Sequence, residues 1–271
     1  MVTGASIEMG SPSKEEWFSS EGGGASSARL FCFPYAGGSS GIYRGWSELF
    51  PNMEICVARL PGREARFKEP AMRTNEEVVR AMSSAIRPLL DRPFVLFGHS
   101  MGALLAFELA RELREQALRS PRLLCVSAAP APHLPRRAPA LSRMSNEQLV
   151  AELRTWNGTP EAILTNRELM HLLLPTIRAD LEVVEGYTYR ALPPLQCPLL
   201  VLGGKQDRSV ARDDLIGWGE HTIAGSNLVE VDGDHFFLHS ADALGTVKAS
   251  IESLHRGEGR LCTPPRKHAD N

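Results

Sequence analysis

The stretch Phe94–Ala110, FVLFGHSMGALLAFELA, decides the fold because it joins a buried strand to a helix through a serine between two glycines. The run Phe94–Gly98 is apolar throughout, as in a strand that is covered on both faces of a parallel sheet. Glycine at 98 and 102 leaves room for neighbouring backbone, where a Cβ would crowd the turn. In this context the pattern Gly-x-Ser-x-Gly predicts that the Ser100 hydroxyl stands above the sheet edge as a nucleophile. The alternative is a serine that only caps the helix.

Apolar runs and helical patterns alternate along the rest of the chain, which predicts an α/β fold with a doubly wound, mostly parallel sheet. The predicted strands are Arg29–Pro34, Glu54–Leu60, Phe94–Gly98, Leu123–Ala128, Pro198–Gly203 and Asn227–Asp232. The predicted helices are Ser40–Phe50, Asn75–Leu90, Met101–Gln116, Ala211–His221 and Ala241–Leu254. Because such sheets bind ligands at the carboxyl ends of their strands, functional residues are expected in the loops that follow the strands.

The alternation breaks between Pro130 and Leu195, where two helical patterns, Asn146–Trp156 and Glu168–Tyr187, follow a proline-rich segment. We expect a helical lid inserted at about 130–195 above the strand ends; helices that merely cover the sheet are the alternative. The folded domain is then predicted to span 29–255. The Ser- and Gly-rich residues 1–28 and the polar tail 256–271 are expected to be disordered.

The composition argues against several classes of protein. A formal net charge of −2 over 271 residues does not suit a nucleic-acid binder and gives no overall attraction to anionic membranes. No apolar run approaches the ~20 residues that span a bilayer. Four of the five cysteines lie in strand-like runs without a Cys-x-x-Cys pair. We therefore expect buried free thiols and a cytoplasmic location, and neither disulfides nor a zinc site.

An activated serine needs a histidine base and an acid that orients it, and two later loops supply both. Asp207 follows the strand PLLVLG (198–203), and His235 follows NLVEVD (227–232). Ser100, Asp207 and His235 thus follow three strands in the chain order nucleophile, acid, histidine that hydrolases use. We predict that they form a catalytic triad; a structural histidine in a Gly-Asp-His-Phe turn is the alternative.

Some neighbouring acids and histidines fit these roles less well: Asp213, Asp214, Asp232, Asp234, His99 and His239. The first two acids are expected on a helix that faces solvent. The other two acids would need a loop that folds back sharply. His99 is expected to lie next to the nucleophile without joining the triad, and His239 is expected to pack or to cap.

Acyl chemistry also needs N–H groups that stabilise an oxyanion. One is predicted at Met101, the residue after the nucleophile, at the positive end of the helix dipole. The other is predicted in the glycine-rich loop FPYAGG (33–38), with Ala36 preferred and Tyr35 next. An ordinary glycine-rich turn is the alternative.

Together these motifs resemble those of the type II thioesterases of polyketide and nonribosomal peptide assembly lines. The matching stretches, in family order, are FCFPYAGG (31–38), RLPGRE (59–64), FGHSMGALLAFELA (97–110), GGKQD (203–207) and GDHFFL (233–238). The resemblance implies an α/β-hydrolase fold with a helical lid and the hydrolysis of acyl thioesters from the phosphopantetheine arm of carrier proteins. It implies Ser100, Asp207 and His235 as the triad, with the Met101 and Ala36 N–H groups as oxyanion donors.

The implied reaction passes through an acyl-serine and requires no metal or other cofactor. The implied partners are acyl-loaded carrier proteins or carrier domains of a synthase, and neither nucleic acid nor a membrane is expected. Since the family's carrier domains are acidic, the candidate docking charges are Arg63, Arg66, Lys68, Arg136 and Arg137. Solvated surface charges without a docking role are the alternative.

Other functions stay open at this point. A carboxylesterase or lipase shares the triad, an acyltransferase replaces water with an alcohol or amine, and a binding module uses the scaffold without catalysis. A triad on this fold does not by itself choose between a thioester and an oxygen ester, so that choice depends on the resemblance.

Overall fold

A seven-stranded sheet forms the centre of the protein in the computed structural model, which describes residues 17–22, 26–137, 139–156 and 158–262. The strands are β1 Phe18–Glu21, β2 Ala28–Phe33, β3 Met53–Ala58, β4 Phe94–His99, β5 Leu123–Ser127, β6 Leu199–Gly204 and β7 Ser226–Val231. Their order in the sheet is β1-β3-β2-β4-β5-β6-β7. β1 pairs antiparallel with β3, and every other pair is parallel. The predicted α/β fold with a mostly parallel sheet is confirmed.

The α-helices of the described residues lie between and after these strands. They are α1 Trp46–Leu49, α2 Asn75–Ile86, α3 Met101–Glu115, α4 Asn146–Trp156, α5 Glu161–Leu164, α6 Arg167–Glu185, α7 Arg212–Ile216 and α8 Ala241–His255. The helix predicted at Ser40–Phe50 is broken, because Gly45 has a φ of 81° between a 3-10 turn at Ser40–Tyr43 and α1. None of the helices in these described ranges has the combined length and hydrophobicity of a membrane span.

Both faces of the central strands are covered by helices, which explains their uniformly apolar sequences. Every residue of β2 and of β4 is buried. Phe31 and Phe33 enter an apolar cluster beneath α2 and α3. Leu30 and Cys32 enter a second cluster, on the other face, beneath α1 and α8. The four cysteines that were predicted to be buried free thiols are so, while Cys262 is exposed.

The segment between β5 and β6 is helical and carries an apolar cluster of its own. The helices are α4, α5 and α6, and the members of the cluster are Leu141, Leu149, Leu153, Leu164, Met170, Leu174, Ile177 and Leu181. The segment also contacts the loop after β2, because Ala36 packs against the cluster. The inserted helices are therefore placed next to the carboxyl ends of the strands.

The described residues before β2 and after α8 form backbone contacts that the sequence does not predict. Trp17 is fully buried, and β1 pairs with β3 from Phe18 opposite Ala58. Ser226 and Cys262 exchange backbone hydrogen bonds of 2.9 and 2.8 Å. The prediction of disorder is therefore wrong for residues 17–22, for residues 26–28, where β2 begins at Ala28, and for the tail as far as Cys262. The remaining parts of that prediction, 1–16, 23–25 and 263–271, lie outside the described residues.

Candidate active site

The turn between β4 and α3 holds Ser100 in a strained conformation, with φ 55° and ψ −118°. A Cβ on Gly98 would lie 1.9 Å from the Gly102 carbonyl oxygen, and one on Gly102 would lie 2.0 Å from the Phe33 carbonyl oxygen. Only glycine fits at either position, because backbone crosses backbone there. A residue with positive φ that its surroundings enforce is typical of a functional turn.

Ser100, His235 and Asp207 form a continuous hydrogen-bond chain. His235 Nδ1 lies 2.7 Å from Asp207 Oδ2, and His235 Nε2 lies 3.0 Å from Ser100 Oγ. A carboxylate only accepts hydrogen bonds, so Nδ1 carries the proton and Nε2 accepts from the Ser100 hydroxyl. The structure thus brings the three predicted residues together in an arrangement that can move the Ser100 proton to His235.

The Asp207 carboxylate is almost fully buried and has several donors around it. Its Oδ1 accepts from the Ser209 N–H at 2.8 Å, from the Ser209 hydroxyl at 2.6 Å and from the Val210 N–H at 3.3 Å. Burial alone would raise the pKa of Asp207, but the hydrogen bond and charge of His235 and the bonds from Ser209 outweigh it and lower that pKa below its usual value. The acid therefore stays ionised beside the imidazole.

Ser209 belongs to the site and was not predicted. Its Oγ contacts Asp207 Oδ1 and lies 3.0 Å from His235 Nδ1, so it bridges the acid and the base. The signal in the sequence is the spacing Asp-x-Ser after a strand, which is typical of a turn in which the aspartate accepts the N–H two residues on. That spacing alone does not show that the serine also reaches a histidine from another loop.

His99 is buried beside the three hydrogen-bonded residues and contacts the backbone of His235. Its Nε2 lies 2.7 Å from the His235 carbonyl oxygen, and its Nδ1 lies 2.8 Å from Ser127 Oγ. Burial, followed by the charge of His235, lowers the pKa of His99 to about 3. The neutral ring must donate from Nε2, since a carbonyl only accepts, so Nδ1 accepts from the Ser127 hydroxyl.

The glycine-rich loop after β2 forms a tight turn next to the start of α3. The Gly38 N–H donates to the Tyr35 carbonyl at 2.8 Å, and Gly37 has a φ of 75°. Within the described ranges, the N–H groups of Tyr35, Ala36 and Met101 have no acceptor. The predicted oxyanion donors are thus unengaged, and both candidates in this loop, Ala36 and Tyr35, keep a free N–H.

Aromatic rings form a wall beside His235. The Tyr35 ring packs edge-on against Phe236, at 5.0 Å between centroids, and its hydroxyl lies 3.2 Å from His239 Nε2. Phe236 also fills the space next to Gly158 of the helical insertion, where a Cβ would lie 2.3 Å from the ring. His239 therefore packs beside the site, as expected.

The neighbouring acids engage other partners. Asp232 pairs with Lys205 at 2.9 Å, and Asp234 accepts the Phe236 N–H at 2.8 Å. Asp214 accepts the Ala211 N–H, and its side chain is only 14% exposed, so the expectation that it faces solvent is wrong. In the part of the chain that the structure describes, no three acids, histidines or cysteines are grouped as metal ligands.

Two of the predicted docking arginines are structural. Arg63 and Arg66 are each 8% exposed. Arg63 forms a two-pronged pair with Asp180, while Arg66 lies 4.3 Å above the Trp17 ring and pairs with Glu69. The docking prediction is wrong for both, because neither guanidinium is free to meet a partner.

The other docking candidates lie nearer the surface. Lys68 is exposed. The Arg137 side chain is 75% exposed and lies 3.6 Å from Asp214, and Arg136 contacts Glu185 at 3.3 Å. Lys68 and Arg137 are therefore the more accessible of the predicted docking charges.

Comparison with known proteins shows similarity over most of the chain. The model of the thioesterase domain family matches residues 28–255. The gramicidin S biosynthesis protein GrsT of Aneurinibacillus migulanus is 41% identical over 218 residues, which cover 80% of this chain and 85% of that protein. RedJ, a thioesterase of the prodiginine pathway in Streptomyces coelicolor, has a TM-score of 0.80 and 33% identity, covering 85% of this chain and 91% of its own. BorB, a type II thioesterase from the borrelidin cluster, has a TM-score of 0.79 and 36% identity, covering 88% of this chain and 97% of its own.

Proposed function

The chain belongs to the thioesterase domain family, and from that premise we propose that it is a type II thioesterase that hydrolyses acyl groups from the phosphopantetheine arm of carrier proteins. The proposed pathways make polyketides or nonribosomal peptides, because two further similar solved structures, YbtT and ClbQ, are named as proteins of NRPS/PKS pathways. The observation that supports this most is the hydrogen-bond chain from Ser100 through His235 to Asp207, beside the Met101 and Ala36 N–H groups, which have no acceptor among the described residues.

In the proposed acylation step, Ser100 Oγ attacks the thioester carbonyl while His235 Nε2 takes its proton. Asp207 keeps the imidazole in the required tautomer and stabilises the imidazolium. The tetrahedral oxyanion accepts hydrogen bonds from the Met101 and Ala36 N–H groups. Loss of one such donor typically costs ~10²–10³-fold in rate.

The carbon–sulfur bond then breaks, and the His235 proton passes to the departing thiolate. A thiol has a pKa of about 8.5, so it leaves more readily than an amine. Water then gives a proton to His235 and attacks the acyl-serine carbonyl. The bond between the acyl carbon and Ser100 Oγ breaks, His235 returns the proton to Oγ, and the free acid leaves. The proposed partners are acyl-loaded carrier proteins or carrier domains of a synthase.

The mass of an acyl-loaded carrier protein tests this function directly. Carriers loaded with acetyl and longer acyl groups are incubated with the wild type, with Ser100→Ala, and with Ser84→Ala as a matched control at an exposed serine of α2. We expect the wild type and the control to remove the acyl group and Ser100→Ala to leave it. If the carrier stays loaded while the wild type cleaves a simple oxygen ester, the esterase interpretation replaces the thioesterase proposal.

A further inference from the structure

Asp180, on the inserted helix α6, is buried against the loop that carries the proposed oxyanion donor. Its side chain is 3% exposed, and its Oδ2 accepts the Gly37 N–H at 2.7 Å. The same carboxylate accepts two bonds from Arg63, of 2.8 Å from Nη1 to Oδ2 and 2.6 Å from Nη2 to Oδ1. Arg63 Nη1 also donates to the Gly38 carbonyl at 3.0 Å. The ion pair therefore binds the turn at two points, with Asp180 on the Gly37 N–H and Arg63 on the Gly38 carbonyl.

These contacts fix the orientation of the turn. The Gly38 N–H is engaged by Tyr35, and the Gly37 N–H by Asp180. The next N–H in the turn belongs to Ala36 and has no acceptor among the described residues. Since Asp180 holds the Ala36–Gly37 peptide, it sets the direction of the adjoining peptide that carries the Ala36 N–H. An oxyanion donor acts only when it points to the place where charge develops.

The loop with the motif RLPGRE is tied to the same face of α6. Thr176 Oγ donates to the Gly62 carbonyl at 2.9 Å, one turn before Asp180. Ile177 packs on the turn, since a Cβ on Gly37 would lie 3.0 Å from Ile177 Cγ1. The RLPGRE loop, α6 and the glycine-rich turn thus form one packed unit.

Stability alone does not explain the buried ion pair of Arg63 and Asp180. A buried ion pair loses hydration, and replacement by apolar residues is often neutral or stabilising. Arg63 Nε is buried and has no hydrogen-bond partner in the part of the chain that the structure describes, so one donor of the guanidinium stays unpaired there. By contrast, Glu182 on the same helix pairs with Arg73 at the surface, at 2.6 Å. The buried pair is better explained by the geometry that it imposes on Gly37 and Gly38.

We propose that Asp180, held by Arg63, is a positioning residue that orients the Ala36 N–H of the oxyanion hole. The oxyanion hole is then complete only while α6 is seated on the glycine-rich turn. This inference rests on the proposed function, because it assigns a role to residues around the same site.

The decisive variant is the double substitution Arg63→Met with Asp180→Leu. It removes both buried charges together, so the fold is expected to persist, but the Gly37 N–H loses its acceptor. Asp180→Asn and Arg63→Lys are compared with it. Glu182→Gln is the matched control, because it removes an exposed ion pair from the same helix. Circular dichroism and thermal unfolding define a temperature at which every variant used is folded.

Four quantities are measured: kcat and KM for a small acyl thioester, affinity for a trifluoromethyl ketone, and affinity for a thioether analogue. The ketone forms an oxyanion with Ser100, whereas the thioether forms none. We expect the double variant to lose ~10²-fold in kcat and a similar factor in ketone affinity. Asp180→Asn keeps an amide oxygen that can accept the Gly37 N–H, and Arg63→Lys keeps a charge beside Asp180, so both should lose less than the double variant. KM and thioether affinity should stay within about threefold. Glu182→Gln should match the wild type in all of them.

A folded double variant with wild-type kcat and ketone affinity would overturn the proposal, as would a rise in KM with kcat unchanged. A failure of the proposed function gives a different result. In that case the wild type leaves acyl-carrier proteins loaded, while the ketone affinities still show whether Asp180 orients the turn.

Discussion

At the scale of single residues, the site is predictable where chain order and local geometry carry the information. The sequence predicts that Gly98 and Gly102 make room for backbone, and the carbonyl oxygens that approach each of them explain why only glycine fits. Ser209 and Asp180 were not predicted, because the contact of Ser209 with His235 and that of Asp180 with Gly37 join distant parts of the chain. Asp180 reaches Gly37 from 143 positions away in the chain, and no local pattern marks such a contact.

The bridging role of Ser209 gives a prediction at this scale. Ser209→Ala removes a hydroxyl that contacts both Asp207 and His235. Since a hydrogen bond to a charged group contributes about 1.5–3 kcal/mol, we expect kcat/KM for an acyl thioester to fall about tenfold or more. Steady-state kinetics measures this, with Ser84→Ala as the control. An unchanged kcat/KM would show that Ser209 only closes the turn.

At the scale of elements, strands with long apolar runs were predicted almost to the residue, while short or interrupted elements were not. The helix predicted at Ala211–His221 is divided into α7 and a 3-10 turn that begins at Gly217. β1 has only four residues and follows a polar segment, so its sequence has no usable periodicity. Its position depends on pairing with β3 and on the burial of Trp17, which are long-range effects.

The burial of Trp17 predicts that Trp17 and the adjoining strand β1 are needed for stability. Its ring is fully buried and lies under the Arg66 guanidinium. Trp17→Ala should therefore lower the free energy of unfolding by about 3–5 kcal/mol, as for other buried aromatic truncations. Urea unfolding measures the loss, and Ile223→Ala, at a side chain that is 62% exposed, should be nearly neutral. Equal, small effects of both substitutions would mean that β1 does not pack as described.

At the scale of the whole molecule, two buried neutral histidines link stability to pH. Burial, with the charge of His235, lowers the pKa of His99 to about 3. Burial, with the charge of His133, lowers the pKa of His221 to about 4. In the unfolded chain both would titrate near the usual histidine pKa of about 6.5. Unfolding below that pH therefore takes up protons, and the free energy of unfolding falls as the pH falls from about 6.5 towards 4.

Urea unfolding at a series of pH values between about 7.5 and 4.5 tests this dependence. The wild type should lose stability steadily below a pH of about 6.5. His221→Gln should show a shallower loss, because one of the two protons is no longer taken up on unfolding. Parallel curves for the two proteins would contradict the assignment of His221 as a buried neutral base.

The proposed mechanism requires Ser100 to carry the acyl group between the carrier and water, and trapping that intermediate is its most direct test. Turnover of an acyl-carrier protein is stopped with acid within milliseconds. The enzyme is then digested with a protease, and the mass of the peptide that contains Ser100 is measured by mass spectrometry. We expect this peptide to gain the mass of the acyl group in the wild type and not in Ser100→Ala. A carrier that is unloaded by the wild type while no acyl group is found on Ser100 would contradict the mechanism.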